Sequence, residues 1–314
     1  MMPSELSSRH ATADRRADYA RMLADSGDPT GAADLMEQAL ELAPAWIGGW
    51  FNLGLYQERA GNRAGAAAAF ERVVALDPED LFGAPLHLAA LGATPTPDRP
   101  SSRYIERLFD DYAERFDRSL VGRLAYGVPA NLAALLSGMQ DLPQHFRLAV
   151  DLGCGTGLFG AEIRPRVGRL EGFDLSRKML AKAAEKGPYD RLEVADLSLP
   201  ASGSGLFGAD LPAHRADLIV ATDVMIYLGD LDNILDLAVR LAAPGAVFAF
   251  SVEDAGEESG FCLAQSLRYA HSAAYVEAVC GRFGFDIRGS EPTVIREDNG
   301  APVSGMLFVA QLPR

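Results

Sequence analysis

Residues 149–163 read AVDLGCGTGLFGAEI, and this stretch decides how the second half of the chain is interpreted. An apolar run ends at Asp151, three glycines follow at Gly153, Gly155 and Gly157, and Gly160 stands inside the helical pattern that comes next. A strand, a glycine-rich turn and a helix in that order are typical of the first unit of a parallel α/β sheet. Because glycine lets the backbone turn tightly and pass close to a ligand, we expect a binding loop here.

The glycines of this loop can be read in two frames, which predict different ligands. Gly155, Gly157 and Gly160 spell G-x-G-x-x-G, the fingerprint of dinucleotide-binding loops. Gly153, Gly155 and Gly157 instead spell G-x-G-x-G behind an acid, Asp151. A carboxylate pointing into the loop would repel a pyrophosphate and attract a ligand cation such as an ammonium group, so the second frame predicts a different ligand.

The bulk composition is that of an ordinary globular protein, with 48% hydrophobic and 23% charged residues in a chain of 314. That length indicates about two domains. The formal charge of −14 disfavours nucleic acid as a partner because its phosphates would be repelled. No run approaches the roughly 18 apolar residues of a membrane span, and the opening residues lack the pattern of a secretion signal, so we expect a soluble, cytoplasmic protein.

A period of 34 residues runs through the first third of the chain. Gly27 and Gly61 are 34 positions apart, as are Pro44 and Pro78, and the second copy opens with WFNLG at residues 50–54. This pattern resembles the tetratricopeptide repeat, which implies pairs of antiparallel helices. Small residues are expected where the helices of a pair approach, and large ones in the seam between repeats. The small residues are Ala20, Ala32, Gly54 and Ala66, and the large ones are Tyr19, Met36, Trp50 and Phe70.

Two repeats leave an apolar face uncovered, so residues 81–92 are predicted to form a capping helix. By resemblance, such a platform holds a peptide or another protein, but bracing the molecule or forming a dimer contact is an equally good interpretation. The predicted organisation is an all-α repeat domain over residues 1–93, a Pro-rich linker over 94–102 and a second domain over 103–314. Residues 103–145 form the helical first part of that second domain.

Beyond the linker, short apolar runs alternate with helical patterns, which predicts an α/β domain with a doubly wound, parallel sheet. Seven runs are strand candidates: FRLAVDLG, RLEGFDLS, RLEVADLS, ADLIVATDV, GAVFAFSVE, FGFDIRG and GMLFVAQL. The connection before the seventh is too polar for a crossover helix, so we expect the last strand to lie antiparallel beside the fifth. Ligands of such sheets bind at the carboxyl ends of the strands. Four acids close the first four strands: Asp151, Asp174, Asp196 and Asp223.

The sequence after the loop favours one of the two frames. The only lysines are Lys178, Lys182 and Lys186, and none stands four positions after a tyrosine, so the Tyr-x-x-x-Lys pair of short-chain dehydrogenases is missing. The segments VDLGCGTG, EGFDLS, VADLS and ADLIVATDVMIYLGDL resemble, as a set, the motifs of class I S-adenosylmethionine-dependent methyltransferases, whose sheet is Rossmann-like. The layout is also similar to a bacterial group in which tetratricopeptide repeats precede this domain.

The resemblance implies that S-adenosylmethionine is the cofactor and that the loop and the strand ends bind it. Asp174 would accept hydrogen bonds from the ribose hydroxyls, Asp196 and Leu197 would bracket the adenine, and Asp223 would border the methionine end. The full set of implied cofactor residues in and after the strands is Asp151, Gly153, Gly155, Thr156, Gly157, Asp174, Leu175, Ser176, Met179, Asp196, Leu197, Thr222, Asp223 and Val224.

An aromatic helix follows the linker, and in related methyltransferases such a helix closes over the cofactor. The apolar residues at helical spacing are Ile105, Phe109, Tyr112, Phe116 and Leu120. Tyr104 and Tyr112 are therefore expected to contact the cofactor, although a helix packed plainly on the sheet fits the same pattern. Asp174 has its own alternative as a helix N-cap, and Asp196 as a turn residue.

Two side chains are candidates for the reaction centre. Tyr227 follows the fourth strand and would line the reactive end of the cofactor, unless it only packs there. His271 is expected to begin a helix, where it would deprotonate a hydroxyl or carboxyl acceptor or, alternatively, bond to the backbone. No metal is expected, because no two of the five histidines are spaced as a ligand pair, and the three cysteines are expected to be reduced thiols.

Three functions remain open from the sequence. The first is a methyltransferase with an unidentified small-molecule acceptor, favoured by the lid-like helix and the lack of a basic face. The second is a protein methyltransferase whose repeat platform holds the polypeptide. The third is an adaptor that binds S-adenosylmethionine with little turnover.

Overall fold

The computed structural model describes residues 7–114, 126–298 and 300–314. The chain divides into two compact units, Met1–Tyr104 and Ile105–Arg314. The predicted linker, residues 94–102, falls within the first unit. Phe116 and Leu120, which continue the helical pattern predicted after the linker, lie outside the described residues.

The first unit is made of helices that pack in consecutive pairs. They are α1 (Ala11–Asp25), α2 (Pro29–Leu42), α3 (Ile47–Arg59), α4 (Arg63–Leu76) and α5 (Ala84–Ala90). The 34-residue period recurs in the N-caps of the helices. Asp28 accepts a hydrogen bond from the amide of Gly31. Asn62, which lies 34 positions later, accepts one from the amide of Gly65. The predicted tetratricopeptide pattern is confirmed at this level.

Small and large residues take complementary positions in this unit. A Cβ atom at Gly54 would lie 2.5 Å from the ring of Phe70, so only glycine permits this approach of α3 to α4. Trp50 packs against the apolar clusters of both repeats, as expected for a seam residue. The expectation for Tyr19 was wrong: 62% of the residue is exposed, because α1 buries Ala13 and Ala20 instead.

The second unit is an α/β domain. Its strands are β1 (Phe146–Leu152), β2 (Val167–Asp174), β3 (Arg191–Val194), β4 (Ala216–Ala221), β5 (Ala242–Asp254), β6 (Phe261–Leu263), β7 (Tyr269–His271), β8 (Asp286–Asp298) and β9 (Ala301–Gln311). Its α-helices are α7 (Val128–Gly138), α8 (Leu158–Ile163), α9 (Arg177–Lys186), α10 (Asp232–Leu241) and α11 (Ala273–Arg282). A further helix, α6 (Ser102–Tyr112), begins in the first unit and ends in the second, and Met225–Tyr227 forms a 3₁₀ turn.

Seven strands form the main sheet in the order β3-β2-β1-β4-β5-β9-β8. The first five are parallel, and β9 runs antiparallel to both β5 and β8. This confirms the predicted mixed α/β sheet with an antiparallel last strand beside the fifth. The strand order reverses between β1 and β4, so the carboxyl ends of these two strands border the crevice where open α/β sheets bind ligands.

The short strands β6 and β7 were not predicted. They form a hairpin, and β7 pairs with β5 through Ala270 and His271. Glu253 of β5 pairs with β7 on one edge and with β9 on the other, so β7 occupies the edge that β4 leaves after Ala221. The hairpin therefore stands beyond the carboxyl end of β4, at the ligand-binding edge of the sheet.

Apolar layers cover both faces of the sheet. Along β5, Phe248 and Phe250 pack into one layer, while Val247 and Ala249 pack into the other. Burial on both faces explains why the strands read as continuous apolar runs rather than as alternating ones. None of the helices in the described ranges is long and apolar enough to cross a membrane.

Candidate active site

The glycine loop after β1 lies at the point where the strand order reverses. Gly153 and Gly155 have φ angles of +66° and +53°, in the left-handed region that favours glycine. A Cβ atom at Gly153 would lie 2.4 Å from Val224, so the loop rests directly on the segment after β4. Among the described residues, no atom lies within 4 Å of the place that a Cβ of Gly155 would take, so this part of the structure leaves the loop open on that side.

Asp174, the last residue of β2, holds the loop through both of its carboxylate oxygens. Oδ2 accepts the amide hydrogen bond of Gly155 at 2.9 Å, and Oδ1 accepts that of Ser176 at 2.8 Å. Burial raises the pKa of Asp174 to about 6, although these backbone hydrogen bonds act to lower it. The N-cap of α9 is Ser176, whose hydroxyl accepts from the amide of Met179, so the alternative of Asp174 as the cap was wrong.

Asp151 is fully buried at the end of β1, and a tyrosine that the sequence did not single out holds it. The hydroxyl of Tyr189 donates to Oδ2 of Asp151 at 2.6 Å, while Oδ1 has no partner among the described residues. Burial raises the pKa of Asp151 to about 7, and the hydrogen bond from Tyr189 opposes that rise. One carboxylate oxygen at the loop is thus desolvated and unsatisfied.

Tyr189 also explains the fourth glycine of the loop. A Cβ atom at Gly160 would lie 2.5 Å from the Tyr189 hydroxyl, and one at Gly172 would lie 2.8 Å from its ring. At Gly157 the same ring is 3.0 Å away. Gly160, which completes the dinucleotide spacing in the sequence, therefore makes room for the ring that carries the hydroxyl to Asp151.

The segment after β3 forms a tight turn. Oδ1 of Asp196 accepts hydrogen bonds from the amide and the hydroxyl of Ser198, at 2.9 and 2.6 Å. These contacts match the alternative in which Asp196 is a turn residue. Asn233 of α10 donates to the carbonyls of Leu197 and Leu199 and so fixes this turn from the neighbouring helix.

The second-unit part of α6 crosses the carboxyl ends of the strands. Asp110 accepts a hydrogen bond of 2.6 Å from the hydroxyl of Ser176, next to Asp174. Phe109 packs edge-on against Tyr227 after β4, with ring centroids 5.2 Å apart. The helix therefore spans the crevice from β2 to β4, an arrangement that fits both a lid and a helix packed plainly on the sheet.

The other predicted residues of the lid and the loop are distributed as follows. Tyr112 is half-buried on α6, whereas Tyr104 belongs to the first unit, where its ring lies against Gly83. Oγ1 of Thr156, which is buried, lies 3.0 Å from Nζ of Lys186. Met179 is fully buried in α9, and Leu175 is half-buried between Asp174 and Ser176.

At the end of β4, Thr222 and Asp223 face another tyrosine. The hydroxyls of Tyr126 and Thr222 are hydrogen-bonded. Burial raises the pKa of Tyr126, and the carboxyl groups of Asp223 and Asp151 raise it further. Asp223 has a φ angle of +57°, and its amide donates to the hydroxyl of Ser251 at 2.9 Å. Burial raises the pKa of Asp223 to about 7.

The two candidates for the reaction centre differ in their contacts. The hydroxyl of Tyr227 accepts a hydrogen bond from Arg268, and burial raises its pKa. His271 is the last residue of β7 rather than the first of a helix, because Ser272 caps α11. Its buried Nε2–H donates to the carbonyls of Leu228 and Gly229, and burial lowers its pKa to about 4. These contacts match the backbone-bonding alternative.

Sequence reasoning missed Tyr126, Tyr189 and the arginines near Tyr227. Tyr189 lies outside every motif, and only the extra glycines, Gly160 and Gly172, could have indicated that a large ring needed space nearby. Among the described residues, no group of three or more His, Cys, Asp or Glu side chains is arranged to hold a metal ion.

Comparison with protein families supports both parts of the chain. Residues 150–248 match the model of a methyltransferase domain, and residues 48–80 match a tetratricopeptide repeat. A solved complex between the Haloferax volcanii Trm112 methyltransferase activator and a methyltransferase contains a chain of similar fold, with a TM-score of 0.50 and 18% identity. The similarity covers 66% of the present chain and 98% of that one.

Curated relatives share only part of their length with this chain. Methyltransferase-like protein 27 of Homo sapiens is 37% identical over 107 residues, which are 33% of this chain and 43% of the relative. Trans-aconitate 2-methyltransferase of Rhizobium leguminosarum is 32% identical over 138 residues, which are 43% and 49% of the two chains. The chain thus spans about half the length of the curated relatives it matches.

Proposed function

Because residues 150–248 match a methyltransferase domain and residues 48–80 a tetratricopeptide repeat, we propose that the chain is a class I S-adenosylmethionine-dependent methyltransferase that methylates a small-molecule acceptor. One observation carries the proposal. Two buried carboxyl groups with raised pKa values, Asp151 and Asp174, flank a glycine loop that is open at Gly155.

The residues of the loop suit S-adenosylmethionine better than a dinucleotide. Oδ1 of Asp151 is buried and has no partner in the part of the chain that the structure describes. An unpaired buried carboxylate gains from a nearby cation and loses from a nearby pyrophosphate. The ammonium group of S-adenosylmethionine supplies the missing cation, so the donor set fits this cofactor.

The proposed cofactor contacts follow the strand ends. Each carboxylate oxygen of Asp174 accepts one amide hydrogen bond, from Gly155 or Ser176, and can accept about one more. Asp174 would therefore also accept hydrogen bonds from the ribose hydroxyls. The turn of Asp196 and Leu197 would border the adenine, and Asp223 the methionine end. Tyr112 would cover the cofactor from α6, and a contact from Tyr104 stays a prediction.

When bound, S-adenosylmethionine supplies a methyl group on a sulfonium sulfur, which an acceptor lone pair displaces in line. What this chain must supply is position, with the acceptor atom about 3 Å from the methyl carbon. Tyr227, held by Arg268 and Phe109, would line that position. His271 would act as a positioning residue that ties β7 to residues 228 and 229, because its Nε2–H is already engaged by their carbonyls.

A small acceptor is favoured by the helix that crosses the crevice. The contacts of Asp110 with Ser176 and of Phe109 with Tyr227 cover the space between the ends of β2 and β4. The trans-aconitate 2-methyltransferases among the relatives are named for a small organic acid. The net charge of −14 disfavours a nucleic-acid acceptor.

Radiolabelled S-adenosylmethionine tests the proposal when the full chain is incubated with a small-molecule extract and, separately, with a dialysed proteome. We expect label in a small molecule. Label confined to macromolecules would contradict the proposal and favour a protein methyltransferase that uses the repeats as a platform. Tight cofactor binding with no labelled product would favour an adaptor with little turnover.

A further inference from the structure

A second group of charged side chains lies at the carboxyl ends of β4, β5 and β8, outside the glycine loop. It comprises Asp223, Tyr227, Glu253, Arg268 and Arg296, which we call the arginine cluster. The charges of both arginines act on the pKa values of Asp223 and of Tyr227, so the five residues share one space. No motif in the sequence predicted this assembly.

A β-bulge places Arg296 in the cluster. The register between β8 and β9 shifts between Val294 and Arg296, so Ile295 is the extra residue. Ile295 folds over Gly305 of β9, where a Cβ atom would lie 2.4 Å from its side chain. Bulges re-aim the side chains that follow them. Arg296 thereby reaches Glu253 of β5 across the strand between them, and its Nη2 donates to Oε1 of that carboxylate.

Arg296 is buried and only partly satisfied. It is 3% exposed, and its Nη1 has no partner among the described residues. Oδ1 of Asp223 is likewise buried without a partner in the described ranges. A buried guanidinium donor left unpaired costs more than an ordinary hydrogen bond contributes, so Nη1 marks the place of an acceptor oxygen.

Arg268 reaches the same space from the β6–β7 hairpin. It is the residue before β7, it donates to the hydroxyl of Tyr227, and it interacts with Glu253 and Asp223. Because the hairpin stands on the edge of β5 that β4 vacates, Arg268 faces the end of β4 rather than the outer edge of the sheet. Two guanidinium groups thus act on Tyr227, one from the residue before β7 and one from β8.

We propose that the arginine cluster is the acceptor subsite and that it binds a carboxylate group of the acceptor through Arg268 and Arg296. This inference rests on the proposed function for the identity of the ligand as an acceptor, but the anion site itself does not. A planar carboxylate offers two oxygens to guanidinium N–H groups, and such charge-assisted bonds are the strong ones. A more highly charged phosphate would meet Glu253 and Asp223, which disfavour it.

Anion binding by the full chain tests the proposal without requiring turnover. The probes are benzoate and succinate, each against its neutral amide, with inorganic phosphate as a third arm. Each is titrated by isothermal calorimetry into protein with and without S-adenosylhomocysteine. We expect at least one carboxylate to bind tightly enough to measure, at least about tenfold more tightly than its amide and than phosphate. Equal binding of carboxylate and amide, or no carboxylate binding, would overturn the proposal.

Variants locate the binding. Arg268→Gln, which leaves the buried pair intact, and the double change Arg296→Gln with Glu253→Gln, which removes both buried charges together, are expected to weaken carboxylate binding by about tenfold or more. Arg240→Gln serves as the matched control, since Arg240 is exposed and pairs with Asp236. Unchanged affinity in both cluster variants, with a native circular dichroism spectrum, would overturn the subsite.

The same titrations separate this inference from the proposed function. Carboxylate binding that depends on the arginines, without any S-adenosylhomocysteine binding, would refute the proposed function and keep the anion site. S-adenosylhomocysteine binding without carboxylate binding would refute the subsite and keep the proposed cofactor.

Discussion

The two halves of the crevice are built in different ways. In the proposed cofactor half, at the ends of β1 and β2, backbone amides and one tyrosine hold the carboxylates of Asp174 and Asp151. In the proposed acceptor half, at the ends of β4, β5 and β8, side chains of opposite charge hold one another, as in the pair of Glu253 and Arg296. The first half uses a local motif, and the second uses residues brought together by the whole sheet.

The two halves of the crevice also differ in the charge of the ligand that each favours. Burial raises the pKa of Asp151, and the hydrogen bond that opposes this rise comes from a neutral donor, Tyr189. The pKa of Asp223 is also raised by burial, but Arg296 and Arg268 oppose that rise. The first half therefore gains from a ligand cation, whereas the second retains a buried guanidinium N–H that gains from a ligand oxygen. Their chemistry suits a methyl donor and an anionic acceptor, respectively.

The largest expected effect comes from a substitution that weakens ligand binding in the cofactor half only. Asp174→Ala removes two charge-assisted contacts to the ribose and frees the amides of Gly155 and Ser176, so we expect S-adenosylmethionine to bind about 100-fold more weakly. Carboxylate binding in the absence of cofactor should stay unchanged. Isothermal calorimetry measures both affinities, and Asp236→Ala, an exposed carboxylate on α10, is the control. Unchanged cofactor affinity would remove Asp174 from the site.

A pH series probes the buried carboxyls of the cofactor half. Since the folded pKa values of Asp151 and Asp174, about 7 and 6, exceed that of an unfolded aspartate, the native state holds more protons than the unfolded chain between about pH 4 and 7. These two carboxyls should therefore lower the stability of the cofactor-free protein as the pH rises from 5 to 8, by on the order of 2–4 kcal/mol. His271 and His87, whose pKa values burial lowers to about 4, act in the opposite direction below about pH 6.5.

Thermal denaturation from pH 5 to 8 measures this dependence. Asp151→Asn should flatten the curve, and S-adenosylmethionine should raise the melting temperature more at pH 8 than at pH 5, because it favours the ionised carboxyls. A pH dependence that Asp151→Asn leaves unchanged would contradict the raised pKa of Asp151.

A pair of alanine substitutions tests the different roles of two glycines of the loop. Gly155→Ala places a Cβ in the open side of the loop at φ +53°, which costs about 1–2 kcal/mol and obstructs the cofactor. Gly160→Ala drives a methyl group against Tyr189 and should lower the free energy of unfolding by about 1 kcal/mol, even after the gain in helix propensity.

We expect the ratio of cofactor affinity loss to stability loss to be larger for Gly155→Ala than for Gly160→Ala. Calorimetry and urea denaturation supply the two quantities. The opposite ratio would contradict the assignment of Gly155 to the ligand side of the loop and of Gly160 to packing against Tyr189.

The smallest expected effect concerns the hydroxyl that holds Asp151. Tyr189→Phe keeps the ring between Gly157, Gly160 and Gly172 but removes a hydrogen bond that lowers the pKa of Asp151. That pKa should rise further, by roughly half a unit, so the pH midpoint of S-adenosylmethionine binding moves upward. An unchanged midpoint would mean that Tyr189 only packs.

The fold was largely predictable because its signals are local. The strand–glycine–helix stretch at residues 149–163, the acids at the strand ends and the 34-residue period each involve neighbouring residues, and the structure confirms the mixed sheet and the repeats. The hairpin of β6 and β7 was missed because each strand has only three residues and its pairing with β5 depends on where β4 ends.

The candidate site was predictable only in its cofactor half. Asp151 and Asp174 stand in motifs, but Tyr189 reaches Asp151 from 38 positions away and Arg296 reaches Glu253 from 43. The contact between Arg296 and Glu253 depends on a bulge at Ile295 and on the space left by Gly305. Neither feature can be recognised from the sequence alone. His271 illustrates the reverse case, because a histidine suggestive of catalysis is bound to backbone carbonyls.

The central claim is that the loop after β1 binds S-adenosylmethionine and not a dinucleotide. Calorimetric titration of the full chain with S-adenosylmethionine and, separately, with NADH tests it most directly. We predict one S-adenosylmethionine bound per chain and no heat of binding with NADH. Binding of NADH without binding of S-adenosylmethionine would contradict the claim.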